Sequence, residues 1–221
     1  MRNTFYTPTR VALTSCFALL ASTQFALAEE KIDASSLLNL SLAELGDIEI
    51  TSVSKKAEKE KDAAAAIYTI TQEDIRRSGA TAIPELLRLA PGITVTRASG
   101  NDWTVTSRGG NGQFSNNLLV LMDGRTLYSP LFSGVIWDAQ DTVIEDIERI
   151  EVIRGPGGTL WGANAVNGVI NIITKNSADT QDGLAVATAG NQVRGVGTLR
   201  YGGKLADESY YRVYALSLIH I

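Results

Sequence analysis

Cysteine and histidine are almost missing from this chain: Cys16 and His220 are the sole examples among 221 residues. Cys16 lies in a segment read below as an export leader. The mature chain would then hold no thiol, which excludes a disulfide, a thiolate nucleophile and a cysteine-ligated metal. The one histidine, at position 220, falls in a stretch read below as a non-native tail, so a serine triad would lack its base and a zinc site its usual ligands. No metal site and no cofactor are therefore expected. Basic charge is also scarce, with 20 Lys and Arg against 24 Asp and Glu, a net of −4. That balance lacks the basic stripe a nucleic-acid partner demands. An apolar run long enough to span a bilayer is missing too. The stretch from Val11 through Leu20 to Leu27 is broken by Ser15, Ser22, Thr23 and Gln24, whereas a spanning helix needs about 20 consecutive apolar residues.

What is present begins with that broken run. Arg2 and Arg10 precede it, and Ala26-Leu27-Ala28 supplies a small-x-small cleavage pattern before Glu29, so residues 1–28 read as a secretory signal peptide. A lipoprotein reading through Leu13-Thr14-Ser15-Cys16 leaves a very short apolar region and ranks behind. Losing the two arginines takes the net charge from −4 to −6. Leucines at 37, 38, 40, 42 and 45, with Ser41 and Glu44 at capping-box spacing and Gly46 as a stop, predict a short amphipathic helix. Ile48-Glu49-Ile50-Thr51-Ser52-Val53 reads as extended, because β-branched residues dominate and polar and apolar positions alternate. The charge-dense Lys55 to Asp62 has nothing to bury and reads as a solvated linker. Residues 29–65 thus form an N-terminal segment before any core.

From Ala66 to Lys175 the pattern is that of a small α+β domain. Ile67 to Ile70 reads as a strand, and Thr71 with Asp74 caps a helix that Gly79 ends. Pro84 opens a second helix, through Leu89, that Pro91-Gly92 ends. Strands are expected at 93–97, 104–108, 118–122, 149–154 and 169–174, between turns such as Asp123-Gly124. Leu118 to Met122 is apolar at every position and so should be buried on both faces. Beyond Lys175 the pattern changes to alternation without helices. Val193, Gly195, Gly197, Leu199 and Tyr201 take one face and Arg194, Thr198 and Arg200 the other, and Tyr211, Val213 and Ala215 alternate likewise with Tyr210, Arg212 and Tyr214. A lipid-facing barrel strand requires this period and length, and so does a hairpin of a soluble domain. The pattern alone favours the soluble hairpin; the resemblance given below implies instead that residues 183–215 are the first strands of a barrel, weakly anchored because their edges are unpaired. One reverse translation of Leu216 to Ile221 matches a sequencing-library adapter, so 216–221 are expected to be a non-native tail.

Four separated blocks carry a resemblance. Ile83-Pro84-Glu85-Leu86-Leu87, Arg108-Gly109, Val120-Leu121-Met122-Asp123-Gly124, and the long run Ile147-Glu148-Arg149-Ile150-Glu151-Val152-Ile153-Arg154-Gly155-Pro156 with Trp161-Gly162-Ala163-Asn164-Ala165 and Gly168 to Thr174 resemble, in order, the plug signature of TonB-dependent outer-membrane receptors. Trp137-Asp138 and Leu131-Phe132-Ser133-Gly134 resemble plugs of the cobalamin and colicin receptor type. The resemblance implies a barrel of about 22 strands whose lumen would be an open hole without a stopper, in the outer membrane of a Gram-negative bacterium. It also implies a ligand such as a siderophore, haem or cobalamin, and energy drawn from the inner membrane through TonB. Ile48, Glu49, Ile50, Thr51, Ser52 and Val53 would meet TonB by adding a strand to a sheet edge. Arg108 and Arg154 would lock the plug to barrel glutamates on later strands; without those, they are expected to find local acids such as Glu148 or Glu151, or solvent. Trp103, Phe114, Tyr128, Phe132 and Trp137 would line outward loops that contact ligand, the bland alternative being packing against the barrel wall. The resemblance implies a transporter, not an enzyme. Two other readings stay open: a free-standing periplasmic binding module, and a carboxylate-pair hydrolase built on Glu145, Asp146, Glu148 and Glu151.

Overall fold

The computed structural model describes residues 49–50, 58–59, 65–99, 102–109, 114–190 and 193–220. The expected signal peptide and leucine-rich helix, Ile48, Thr51 to Val53 and most of the charged stretch expected as a linker lie outside the described residues. Strand β1 (Glu49–Ile50) pairs antiparallel with β2 (Glu58–Lys59), with Ile50 opposite Glu58. Strand β3 (Ala66–Thr71) leads into helix α1 (Gln72–Ser78). There Thr71 and Asp74 form a capping box, and Gly79 closes the helix at φ 64°, a conformation glycine adopts without a Cβ penalty. Helix α2 (Ile83–Leu86) starts with Pro84 in its first turn and tightens into a 3-10 turn over Leu87–Leu89. Four residues cannot hold a helix by backbone hydrogen bonds alone. The fully buried Leu86 and Leu87, each contributing roughly 1.5–3 kcal/mol of transfer free energy, pin it to the core.

Strands β4 (Ile93–Arg97) and β5 (Trp103–Ser107) form a separate antiparallel pair. Next come β6 (Leu118–Met122), β7 (Arg125–Thr126), β8 (Tyr128–Ser129), β9 (Gly134–Val135) and β10 (Ile147–Arg154). Helix α3 (Gly158–Trp161) then precedes β11 (Gly168–Thr174). The main sheet runs β3-β10-β11-β6-β7. It is mixed: β11 is parallel to β6, and the remaining pairs are antiparallel. Period-2 alternation sends Leu118 and Val120 to one face, with Ile150, Val152, Ile170 and Ile172, against α1, α2, Trp103 and Trp137. Leu119 and Leu121 go to the other face, with Ile153, Val169 and Ala165, as an all-apolar strand requires.

At the Asp123-Gly124 turn both residues have positive φ, 48° and 78°, the backbone of a type I′ hairpin. Asp123 also reaches across the sheet: its carboxylate accepts from the Thr174 main-chain N at 2.8 Å and from Thr174 Oγ1 at 2.9 Å. Because this contact is exposed, Asp123→Ala is expected to cost only about 1–2 kcal/mol, read as a lowered urea midpoint with an unchanged slope.

Three further strands, β12 (Asp182–Thr188), β13 (Val193–Ala206) and β14 (Ser209–His220), form an antiparallel meander. Leu199, Tyr201 and Val213 stand 63%, 56% and 58% exposed, while Thr198 on the opposite face is 5% exposed. One face is thus apolar and open, and the other is turned to the loops and short helices of the preceding α+β domain. Leu216 to Ile219, expected as a non-native tail, continue β14 in register with β13. Among the described residues the β12–β14 sheet does not close into a barrel.

Candidate functional site

Strand β5 begins at Trp103, one residue earlier than expected, and ends at Ser107. This places Trp103 in the core at 5% exposure rather than in an outward loop. Arg97 lies over its ring at 4.7 Å and Arg88 at 5.6 Å, within cation–π range. Trp137, likewise expected in a loop, opens a 3-10 turn and is 7% exposed. Both indoles line a cavity of about 400 Å³ between the plug and the inner face of the meander, with Arg97, Glu85 and Thr198 among its walls. Long-range packing overrides the polar local context of both tryptophans.

Phe114 and Phe132 come together near the surface, and Tyr128 lies in the adjoining β8–β9 hairpin. Phe114 is half-buried, Phe132 is 45% exposed, and their rings stack at 5.5 Å. Tyr128 is half-buried and pairs with Val135 in the β8–β9 hairpin. Phe114 sits directly on Gly134, where a Cβ would come within 2.6 Å of the Phe114 Cβ. Gly134 was not expected as a site residue, yet it sets how deeply the aromatic pair is seated. Asn167 joins the neighbouring loops. Its Nδ2 donates to the Ser107 carbonyl at 3.0 Å and its main-chain N to the Asn117 carbonyl at 2.8 Å.

Arg108 leaves β5 in a left-handed conformation, φ 56°, and is exposed. Arg154 is half-buried, and its Nε is buried without a hydrogen-bond partner among the described residues. Arg108 reaches the backbone beside Arg154, since a Cβ at Gly155 would lie 4.0 Å from Arg108 Nη2, while the Arg154 side chain passes Gly92. The acids expected to serve them go elsewhere. Arg149 pairs with Glu148 and, at 2.9 Å, with the fully buried Glu151. Residues 149 and 151 share one face of β10 and 154 takes the other. In the segment expected to meet TonB, Ile50 is fully buried.

The plug and the meander meet at a third cluster with no counterpart among the sequence expectations. Asp146 ends a 3-10 turn just before β10 and is 3% exposed. Arg200 of β13 and Arg212 of β14 reach it from the inner face of the meander. Hence residues from 183 onward are tied to the plug, although their outer edges stay open. Among the described residues no three His, Cys, Asp or Glu side chains are placed to share a metal ion.

The α+β domain with its mixed sheet is thus tied through Asp146 to the inner face of an amphipathic meander. The profile of the TonB-dependent Receptor Plug Domain matches residues 59–169. The chain belongs to the TonB-dependent receptor plug family. The vitamin B12 transporter BtuB of Vibrio vulnificus is 30% identical over 161 residues, 72% of this chain and 26% of that protein. The ferric enterobactin receptor of Pseudomonas aeruginosa is 31% identical over 195 residues, 79% of this chain and 25% of that protein. This plug-family chain therefore spans about a quarter of the length of the curated relatives it matches. Among solved structures, it is similar in fold to FpvA of P. aeruginosa bound to heterologous pyoverdines. The TM-score is 0.61 at 22% identity, covering 77% of this chain and 22% of that one. The alcaligin outer-membrane receptor FauA of Bordetella pertussis gives 0.58 at 19% identity, covering 76% and 28%.

Proposed function

We propose that the chain is the front part of an outer-membrane receptor for energy-coupled uptake of a scarce metal chelate or similar small ligand, such as a siderophore, haem or cobalamin. The observation that carries this reading is that the inner face of β12–β14 is turned to the plug across a shared cavity lined by Trp103, Trp137, Val186, Val196 and Thr198, while Leu199, Tyr201 and Val213 on the other face stand exposed. A soluble domain would bury that face, and a bilayer would cover it. The family membership and the names of the relatives support the same reading. In it, residues 66–175 fill the lumen, 183–215 open the barrel, and Ile48 to Val53 contact TonB. Arg108 and Arg154 await acids on later strands. Phe114, Tyr128 and Phe132 face the ligand, and Trp103 and Trp137 serve the plug core and its cavity.

The test uses the full-length gene product in a Gram-negative host, with and without TonB. Radiolabelled ferric siderophores, haem and cobalamin are offered to the cells. Accumulation of one of them only when TonB is present is the expected result. A protein recovered soluble from the periplasm, or uptake indifferent to TonB, would count against the proposal.

A further inference from the structure

The Asp146 cluster is built like a fastening and is independent of Arg108 and Arg154. Asp146 Oδ1 lies 3.5 Å from Arg200 Nη1, and Oδ2 lies 3.5 Å from Arg212 Nε. The side chains of the three residues are only 4%, 11% and 18% exposed. At 3.5 Å the attraction is chiefly electrostatic, and Asp146 Oδ2 has no hydrogen bond among the described residues. A carboxylate buried in this way is stable only because two guanidinium groups face it.

The guanidiniums are themselves aimed. Arg200 Nη1 donates to the Thr180 carbonyl at 2.8 Å, and Arg212 Nη1 to the Lys175 carbonyl at 3.1 Å. Lys175 closes the knot: its main-chain N donates to the Asp146 carbonyl, and its Nζ to the Glu145 carbonyl, each at 2.8 Å. Gly202, opposite Arg212 in the ladder, lets the wall come this close, since a Cβ there would lie 2.0 Å from the Thr180 carbonyl oxygen. Arg200 and Arg212 sit on adjacent strands with even-numbered side chains turned inward, and slipping β14 by one residue would turn Arg212 outward. Asp146 therefore reads both the position and the register of the first wall strands.

We propose that Asp146, Arg200 and Arg212 form a plug-to-wall latch of reversed polarity, acid on the plug and bases on the barrel, which holds the carboxyl-terminal end of the plug in the lumen. The proposal rests on the reading of the chain as a plug and the start of its barrel. A plug that loses this latch rocks in its barrel, and the lumen then admits solutes too large for the intact receptor.

The experiment is a vancomycin leak assay on cells carrying the full-length receptor, with receptor abundance in the outer membrane and heat-shifted gel mobility reporting a folded barrel. Asp146→Asn and Arg212→Gln are each expected to lower the inhibitory vancomycin concentration several-fold. The double variant should be no worse than the worse single one, because the partners act as a unit. Asp146→Glu, which keeps the charge, should stay near the parent. Additive losses, equal leak from Glu and Asn at position 146, or no leak at all would overturn the latch. Should Asp146→Asn fail to accumulate, Arg212→Gln is compared with Arg212→Lys: leak from the first alone supports the latch, and equal behaviour overturns it. Deleting residues 66–174 separates the two ideas. If the deletion itself stays tight to vancomycin, the plug reading fails. If it leaks while Asp146→Asn does not, only the latch fails.

Discussion

Proline in place of Ile50 is expected to reduce TonB-dependent uptake by the full-length receptor to background, while ligand binding at the cell surface stays at the parental level. Among the described residues Ile50 pairs with Glu58 in a ladder of two residue pairs. Each ladder hydrogen bond contributes a net of about 1 kcal/mol, so this pairing is shallow enough for a competing strand to displace. A partner that adds a strand to a sheet edge reads main-chain N–H and C=O groups. Proline removes the N–H and fixes φ near −65°, which damages the hairpin and the partner contact together. The two effects separate by direction. If release of β1 from β2 were all that coupling needs, proline would raise uptake; if the strand itself is what the partner reads, proline abolishes it. Ile50→Ala is the control, because it keeps the N–H while emptying the buried side-chain site, and it should retain most of the uptake. Labelled-ligand binding on chilled cells and accumulation on warmed, energised cells give the two readouts. Unchanged transport by the proline variant would remove the coupling role from residues 48–53.

Much of the plug was legible because its signals are local. The Thr71–Asp74 capping box, the Gly79 stop, the Asp123-Gly124 turn and the all-apolar Leu118 to Met122 each act within a few residues and appear as expected. The inward and outward phases of β13 and β14 also follow from period-2 alternation. What escaped was set by distant contacts. Trp103 and Trp137 each stand beside Asp and Ala or Asn, a context that reads as surface, yet both pack into the core. Glu148 and Glu151 were free on paper to pair with Arg154. Strand parity gives Glu151 to Arg149 and puts Arg154 across the sheet. Asp146 was read only as part of an acidic run, since its partners Arg200 and Arg212 lie more than 50 residues further on. The inward phase of those two arginines was the one available hint, and it needed an acid opposite to become a contact.

Arg149→Ala should be the most damaging single change to plug stability that leaves the apolar core intact. Glu151 is fully buried in the middle strand of the sheet's β3-β10-β11 part, level with Thr69 on one side and Asn171 on the other. Its carboxylate meets Arg149 Nε at 2.9 Å, and the Arg149 side chain is itself only 17% exposed. Removing one partner of a buried ion pair costs about 3–5 kcal/mol, because the remaining charge stays desolvated. The partial exposure of Arg149 and the further polar contacts of Glu151 put the expectation at the lower end, about 3 kcal/mol. With urea slopes of about 1–3 kcal/mol per molar, the plug's unfolding midpoint should fall by roughly 1–3 M. Glu151→Gln in the Arg149→Ala background removes the stranded charge while keeping the shape, so it should recover part of the loss. A double variant less stable than Arg149→Ala alone would mean that Glu151 is held mainly by neutral hydrogen bonds, and that the ion pair is a passenger on them.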